Sequence, residues 1–330
     1  MISPPSRAVI GLDYVLSQLK PASPYGQALK SRTSPYKAEQ EEKLKVELDL
    51  IEQVLALLSD DNYAKHLHKV SHYLGQLPDW HESLNRAVAG GVLSEVELFN
   101  LKQTLFYISA IQATLAAIDP NPFIKVNIDN FSTLESLLDP ENSLSPSFYL
   151  SDSFSPKLGE IRAKIREIRR HWNNLSASLR EQAAKTTGLP FNLAGEITIS
   201  RSDRPFRLKV EKSGIFIISR ETYTDVYYQL KQTNQELAWI SDIERLSKSE
   251  DEEEERIRTK LSVAVKQNGE ALYNTFSGLS IIDLVISKAQ LAHLWQAKKP
   301  HIVGQSEPLS ITFQGARHPK VEEELAVLGK

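Results

Sequence analysis

Residues 156–190, PKLGEIRAKIREIRRHWNNLSASLREQAAKTTGLP, decide the fold of this chain. Their apolar side chains recur at alternating steps of three and four, the spacing of a helical seam: Leu158, Ile161, Ile165, Ile168, Trp172, Leu175 and Leu179. The pattern predicts one long helix, roughly 45 Å over residues 155–185 at about 1.5 Å per residue. Gly188 and Pro190 predict its end, because glycine favours the position after a helix and proline cannot continue one.

A seam of this length needs a partner, and the helices predicted later in the chain are the candidates. We expect the seam to pack on the apolar residues of this return segment, which are Ile257, Leu261, Leu272, Phe276 and Leu279.

The composition is that of a folded chain without a membrane span. Of its 330 residues, 41% are apolar and 25% charged, as in globular proteins. No run of about 18 apolar residues occurs, and the start, MISPPS, lacks the layout of a signal peptide. The absence of cysteine excludes disulfides, thiolate metal sites and cysteine nucleophiles. These features predict a cytoplasmic protein that has no membrane partner.

The residues before the seam predict a helical core over 1–153. Ser94 and Glu97 have the spacing of a capping box, so they predict the start of a helix at Glu95. The ascending helix then occupies 154–190. We therefore expect a helical body from which one long arm leaves.

Residues 191–248 predict a β-rich tip on that arm. Glu196–Ser200 and Phe206–Val210 alternate apolar and polar residues, which is the period of a strand. Ile215–Ile218 predicts a third strand, so the tip would be a small antiparallel sheet. Six bases and three acids between residues 196 and 220 give the tip a net charge of +3.

The remaining residues predict a helical return to the body. The pattern from Tyr223 is helical, with a break around Ser247–Ser249 and a long helix through Leu294 within a descending segment, 249–300. In 301–330 we expect a strand at Ser310–Gln314. The predicted fold class is mainly α: a helical core, a long antiparallel helical arm and a small antiparallel β-rich tip.

No catalytic or metal-binding constellation is evident in the sequence. His68 and His72 are spaced for one helical face beside His66, but no third metal ligand follows. No phosphate-binding loop of the form GxxxxGK[ST] occurs, so the chain by itself is not expected to be an enzyme. The acidic run Glu250–Glu255 predicts the first turn of a helix, where acids are favoured.

Five bases of the predicted tip are candidate phosphate contacts. Because the whole chain has a net charge of −3, affinity for a polyanion must come from a local patch of this kind. Charged residues on exposed strands also protect sheet edges from aggregation, which leaves a structural interpretation open. The candidates are Arg201, Arg204, Arg207, Lys209 and Lys212.

The order of these features resembles the MutS DNA mismatch-repair family. The resemblance rests on five segments in sequence: GVLSEVEL (91–98), SPKLGEIR (155–162), EDEEEERI (250–257), LSIIDLVISKAQLA (279–292) and GARHP (315–319). It covers nearly the whole chain from about residue 8. The resemblance implies that the body and arm form the core and lever domains, and that the tip is the clamp that closes on duplex DNA.

The resemblance also implies what the chain lacks. The N-terminal mismatch-reading domain has no counterpart, which is similar to the short branch of the family. The chain ends before a phosphate-binding loop, so ATP and Mg²⁺, as well as self-association through the ATPase domain, are implied only for a full-length protein. Arg317 and His318 would lie at the junction to that domain.

Two functions therefore remain open. In the first, the chain is the core-and-clamp portion of a DNA repair or recombination ATPase and its tip binds the backbone of duplex DNA or another structured nucleic acid. In the second, it is a helical scaffold for a protein partner or a ribosome, and the charge of the tip is incidental.

Overall fold

The computed structural model describes residues 4–141, 150–303 and 310–328, which fall into two compact units. The first unit contains the described residues of Met1–Phe148 and Thr259–Lys330, and the second those of Tyr149–Arg258. Helices dominate and one small antiparallel sheet is present, so the predicted mainly α fold class is confirmed. None of the described helices is long and apolar enough to cross a membrane.

Among the described residues of the first unit, the regular secondary structure is helical. Its helices before the second unit are α1 (Pro4–Val9), α2 (Leu12–Gln18), α3 (Pro24–Arg32), α4 (Glu41–Leu58), α5 (Asp61–Gly75), α6 (His81–Val88), α7 (Glu95–Ala116) and α8 (Ser132–Leu138). After the second unit follow α12 (Gly269–Trp295) and α13 (Pro319–Val327). The predicted capping box of α7 is confirmed: the Ser94 hydroxyl accepts from the amide of Glu97, whose carboxylate accepts from the amide of Ser94 at 2.9 Å.

The core of the first unit is built around α12, which packs against α3, α4, α5 and α6. One buried carboxylate, Asp283, fixes the start of α3 by accepting from the amides of Ala22 (2.8 Å) and Ser23 (2.7 Å) and from the Ser23 hydroxyl (2.5 Å). Burial raises the pKa of Asp283, and the three hydrogen bonds oppose that rise. Gly26 lies against this carboxylate: a Cβ there would stand 2.2 Å from Oδ2 of Asp283.

The second unit pairs α9 (Pro156–Thr187) with the first part of α11 (Asn234–Gln267), a helix that begins in this unit and ends in the first. Pro156 lies in the first turn of α9, and Gly188 ends it at φ +73°, both as predicted. The seam residues Leu158, Ile161 and Ile165 are buried.

Polar contacts show that the two helices run antiparallel. The Ser155 hydroxyl donates to Glu253 at 2.7 Å, near the start of α9, while the Ser176 hydroxyl, further along, contacts Glu236 at 3.1 Å. Between them, Arg162 donates to both Glu250 and Glu254 at 2.6 and 2.7 Å.

The predicted seam partners are corrected in part. Within this unit the polar contacts of α9 reach residues 236–254 of α11, and Ile257, buried near the end of the unit, stays a predicted partner. Leu261 lies in the first unit. Leu272, Phe276 and Leu279 belong instead to the core of the first unit, where Phe276 stacks on Tyr25 with ring centroids 4.6 Å apart.

Two predicted features of α11 are wrong. The helix continues through Ser247–Ser249, because those residues include no glycine or proline, and the break comes at Asn268 before Gly269. The run Glu250–Glu255 consequently lies in the middle of a helix and not in its first turn. Three of its carboxylates are used to hold α9: Glu250, Glu253 and Glu254.

The sheet of the second unit has the order β1-β3-β2 and is antiparallel throughout: β1 (Glu196–Ser200), β2 (Phe216–Glu221) and β3 (Asp225–Leu230). The first strand is as predicted. The helical prediction from Tyr223 is wrong, because Val226 and Tyr228 are buried at the period of a strand and pair with both neighbours. Helix α11 begins only at Asn234, where Thr233 and Glu236 form a capping box at its start.

The prediction of a strand at Phe206–Val210 is wrong. These residues belong to a helix, α10 (Arg204–Lys212). Asp203 caps this helix by accepting from the amide of Phe206 at 3.2 Å, and Pro205 lies in the first turn, where it is tolerated. In a strand, Phe206, Leu208 and Val210 would share one face. In α10, Phe206 and Val210 pack toward the sheet while Leu208 is 44% exposed.

The strand predicted at Ser310–Gln314 is also wrong. A strand requires a neighbour to accept its hydrogen-bond ladder, and none of the described strands pairs with these residues. Ile311 and Phe313 are instead largely exposed.

Candidate nucleic-acid interface

The candidate interface is built on α10, which covers one face of the sheet. Beneath it, Val210 packs into a core of buried side chains from all three strands and from α9: Ala183, Ile197, Ile199, Phe216, Val226 and Tyr228. This core fixes which side of α10 points away from the protein. At 3.6 residues per turn, Lys212 lies opposite Val210, and Arg204 and Lys209 lie on the two flanks.

Three of the five predicted bases are free to bind an anion. Arg204, Lys209 and Lys212 are exposed and form no ion pair with any described residue. All three belong to the same nine-residue helix. The only acid of that helix, Glu211, is already held by Tyr228 and Arg207.

The other two predicted bases are engaged within the protein. Arg201 pairs with Glu221 across the sheet. Arg207 is half-buried, and it donates to the carbonyl of Arg201 at 3.3 Å and to the hydroxyl of Tyr228 at 3.4 Å. The contact with Tyr228 raises the pKa of Arg207 above its usual range. Arg207 therefore braces α10 against the sheet, while Arg201 links the end of β1 to β2.

The open face of the sheet carries one base that the sequence did not indicate as special. Arg220 lies over the ring of Tyr227, 3.8 Å from its centroid, and pairs with Glu196 at 3.2 Å. Hydrogen bonds from Ser219 and then Arg220 lower the pKa of Glu196. A bulge between Ile218 and Arg220 shifts the register of β2 and sets this contact, and no sequence signal predicts such a bulge.

Comparison with known proteins identifies the relatives of the chain. No family model matches it. Endonuclease MutS2 of Shouchella clausii (strain KSM-K16) is 25% identical over 257 residues, which are 74% of this chain and 31% of that protein. The MutS2 endonuclease of Symbiobacterium thermophilum is 26% identical over 79% of this chain and 32% of its own length. That of Caldanaerobacter subterraneus subsp. tengcongensis is 24% identical over 86% and 35%.

The chain is related to the MutS family. This relationship confirms the family predicted from the order of the sequence segments. The chain spans about a third of the length of the curated relatives it matches.

In this MutS relative, the predicted junction residues are held by their own helix. Arg317 donates to both oxygens of Glu322, at 2.6 and 2.7 Å, which raises its pKa. His318 caps α13 by accepting from the amide of Val321 at 3.4 Å. Among the described residues, Arg317 and His318 are therefore engaged within their own segment, and the two side chains do not form a site that fits a nucleotide.

The histidines of α5 also form no site in this MutS relative. His66 contacts the carbonyl of Asn62 at 2.9 Å, and His68 and His72 are exposed. Within the described ranges, no group of three or more His, Asp or Glu side chains could hold a metal ion.

Proposed function

We propose that this chain is the core-and-clamp portion of a MutS-like DNA repair or recombination protein, and that it binds the backbone of duplex DNA through α10. The observation that carries the proposal is the set of exposed, unpaired bases on the outer side of α10: Arg204, Lys209 and Lys212. The relationship to MutS2 proteins over most of the chain supports it.

The side chains of α10 suit contact with DNA phosphates that does not depend on the base sequence. Lysine and arginine side chains on phosphates position a protein on a duplex but carry no base information. Arg207 supports the orientation of the helix and Arg201 is paired with Glu221, so neither is assigned as a phosphate contact. A few phosphate contacts give non-specific dissociation constants on the order of 10⁻⁴–10⁻⁶ M at physiological salt.

We assign no catalytic step to this chain. ATP and Mg²⁺ would belong to further domains of a full-length protein, as would self-association through them. The core and clamp would supply the nucleic-acid contact that such domains act upon.

The test measures fluorescence anisotropy of a labelled duplex over a salt series. We expect Arg204→Gln/Lys209→Gln/Lys212→Gln to weaken binding and to reduce the slope of log K against log salt by about 0.9 for each phosphate that the variant no longer neutralises. The matched control, Lys43→Gln/Lys65→Gln/Lys298→Gln, removes the same charge from exposed bases of the first unit and should bind as the parent does. Equal binding by the parent and the α10 variant contradicts the proposal.

A second candidate function, a scaffold for a protein partner, is favoured by one different observation. Ile215, Ile217 and Ile218 are 42, 39 and 45% exposed at the edge strand β2. An exposed apolar edge can accept a strand from another protein. This function would be indicated if an α10 variant bound a partner normally and Ile217→Lys did not.

A further inference from the structure

The long helix α9 has three distinct sides. At 3.6 residues per turn, the seam that includes Leu158, Ile161 and Ile165 makes one side and faces α11. A second side carries the acids of the helix, which are Glu160, Glu167 and Glu181. The third side, within an arc of about 100°, carries what we call the arginine stripe: Arg166, Arg169, Arg170 and Arg180.

The arginine stripe is almost free of counter-charges. Arg169, Arg170 and Arg180 are exposed and pair with no acid among the described residues, and Arg166 reaches only Asp152, at 3.5 Å. The acids of α9 do not help, because Glu167 and Glu181 pair with His171 and Lys185 on their own side, at 3.8 and 2.7 Å.

The other arginines on the paired helices α9 and α11 are neutralised, so the stripe differs from them. Arg162 contacts Asp152, Glu250 and Glu254. On α11, each arginine pairs with an acid three or four positions earlier: Arg245, Arg256 and Arg258.

An unneutralised stripe is unfavourable for the isolated helix. Arg166 stands three and four positions before Arg169 and Arg170, and like charges at these spacings repel. A bound polyanion would remove this repulsion along the whole stripe. Guanidinium groups also bind phosphates as forked, bidentate donors.

The side chains between these arginines favour a duplex over a single strand. From Arg166 to Arg180 the stripe extends along about 21 Å of helix, and a duplex presents one charge per about 1.7 Å of its axis. Asn173 and Ala177 fill the gap between the arginines. No aromatic ring lies on this side, whereas proteins that bind single strands stack bases on such rings.

We propose that the arginine stripe of α9 is a second surface that binds the phosphate backbone of a duplex, in addition to α10. The inference rests on the proposed function, because it takes the same ligand class, but it rests on different residues. It assigns a binding role to the arm of the second unit as well as to its tip.

The experiment uses the whole chain and labelled 24-base-pair DNA, with the single strand of the same length for comparison. The stripe variant is Arg166→Gln/Arg169→Gln/Arg170→Gln, in which glutamine keeps a high helix propensity. We expect its duplex affinity at about 100 mM salt to fall on the order of tenfold or more, and its salt slope to fall by up to about 2.7. Unchanged far-ultraviolet circular dichroism and melting would show that the variant is folded.

Two controls separate the stripe from net charge. Lys43→Gln/Lys65→Gln/Lys298→Gln removes three charges elsewhere and should change duplex affinity less than twofold, about the effect of screened distant charges. Within α9, Lys164→Gln removes an exposed, unpaired base from a different side of the helix and should bind more tightly than Arg170→Gln.

Each outcome decides between the two surfaces. If the stripe variant binds as the parent does while the α10 variant is weakened, the stripe inference is wrong and the proposed function stands. If only the stripe variant is weakened, the stripe inference stands and the role of α10 is wrong. Equal losses in the stripe variant and the net-charge control, or tighter binding of the single strand than of the duplex, overturn the stripe inference. A parent that binds neither DNA overturns both.

Discussion

At the scale of single residues, one glycine shows how tightly the first unit is packed. Gly26 lies in α3, where alanine would ordinarily be the better helix former. Its missing Cβ leaves room for the carboxylate of Asp283, which holds the start of that helix. The close approach therefore outweighs helix propensity at this position.

We expect Gly26→Ala to destabilise the first unit by more than about 2 kcal/mol, because the new methyl group overlaps a buried, hydrogen-bonded carboxylate. Urea unfolding measures the change. The control is Gly75→Ala, at the end of α5, where an added Cβ meets only ordinary contacts at 3.9 Å. That variant should be neutral or stabilised by up to about 1 kcal/mol, and a similar loss in both variants would show that Asp283 is not the cause.

At the scale of elements, the pairing of α9 with the first part of α11 determines the second unit. Ile165 lies in the buried seam and is 4% exposed, whereas Ala163 lies on the opposite side and is exposed. The same substitution at these two positions separates burial from helix propensity.

We expect Ile165→Asp to cost about 3 kcal/mol or more, because it buries an unpaired carboxylate and leaves a cavity. Ala163→Asp should cost only about 0.5–0.7 kcal/mol, the difference in helix propensity. Thermal melting followed by circular dichroism compares the two. Equal melting temperatures would mean that the seam does not pack on α11.

The helices and strands also show which sequence patterns were sufficient to predict secondary structure. Ser94 with Glu97, and Pro156 with Gly188, predict the ends of α7 and α9 because each signal acts through local backbone geometry. The five residues Phe206–Val210 fit both a strand and a helix. Burial against the sheet decides between them, and a short segment does not encode that contact by itself.

The candidate site, too, could be predicted from the sequence only in part. The sequence predicts that bases concentrate in the tip, because charge is a property of the residues alone. It does not predict that Arg201 and Arg207 are engaged while Arg204, Lys209 and Lys212 are free, because the partners Glu221 and Tyr228 are brought near by the pairing of distant strands.

At the scale of the whole molecule, charge is distributed unevenly. The chain has a net charge of −3, yet unpaired bases collect on α10 and along α9 in the second unit. A local concentration of this kind can bind a polyanion although the whole chain is acidic.

The whole chain should not bind ATP. The phosphates of ATP need a loop of backbone amides and a lysine, and no such loop is present in the sequence, while Arg317 is engaged by Glu322. Calorimetric titration at micromolar concentrations should therefore give no saturable heat. A saturable signal abolished by Arg317→Gln would place a nucleotide site in the C-terminal segment.

The strand order β1-β3-β2 has a consequence for folding during translation. The central strand is the last of the three to be translated, so β1 and β2 have no ladder to join until Leu230 has left the exit tunnel. At about 5–20 residues per second, the roughly thirty residues after Ser200 take a few seconds. Ile217 and Ile218 emerge about a dozen residues before Leu230, so they remain unpaired for roughly 1–2 s of that interval. In that time these apolar side chains of the nascent chain are accessible to a chaperone.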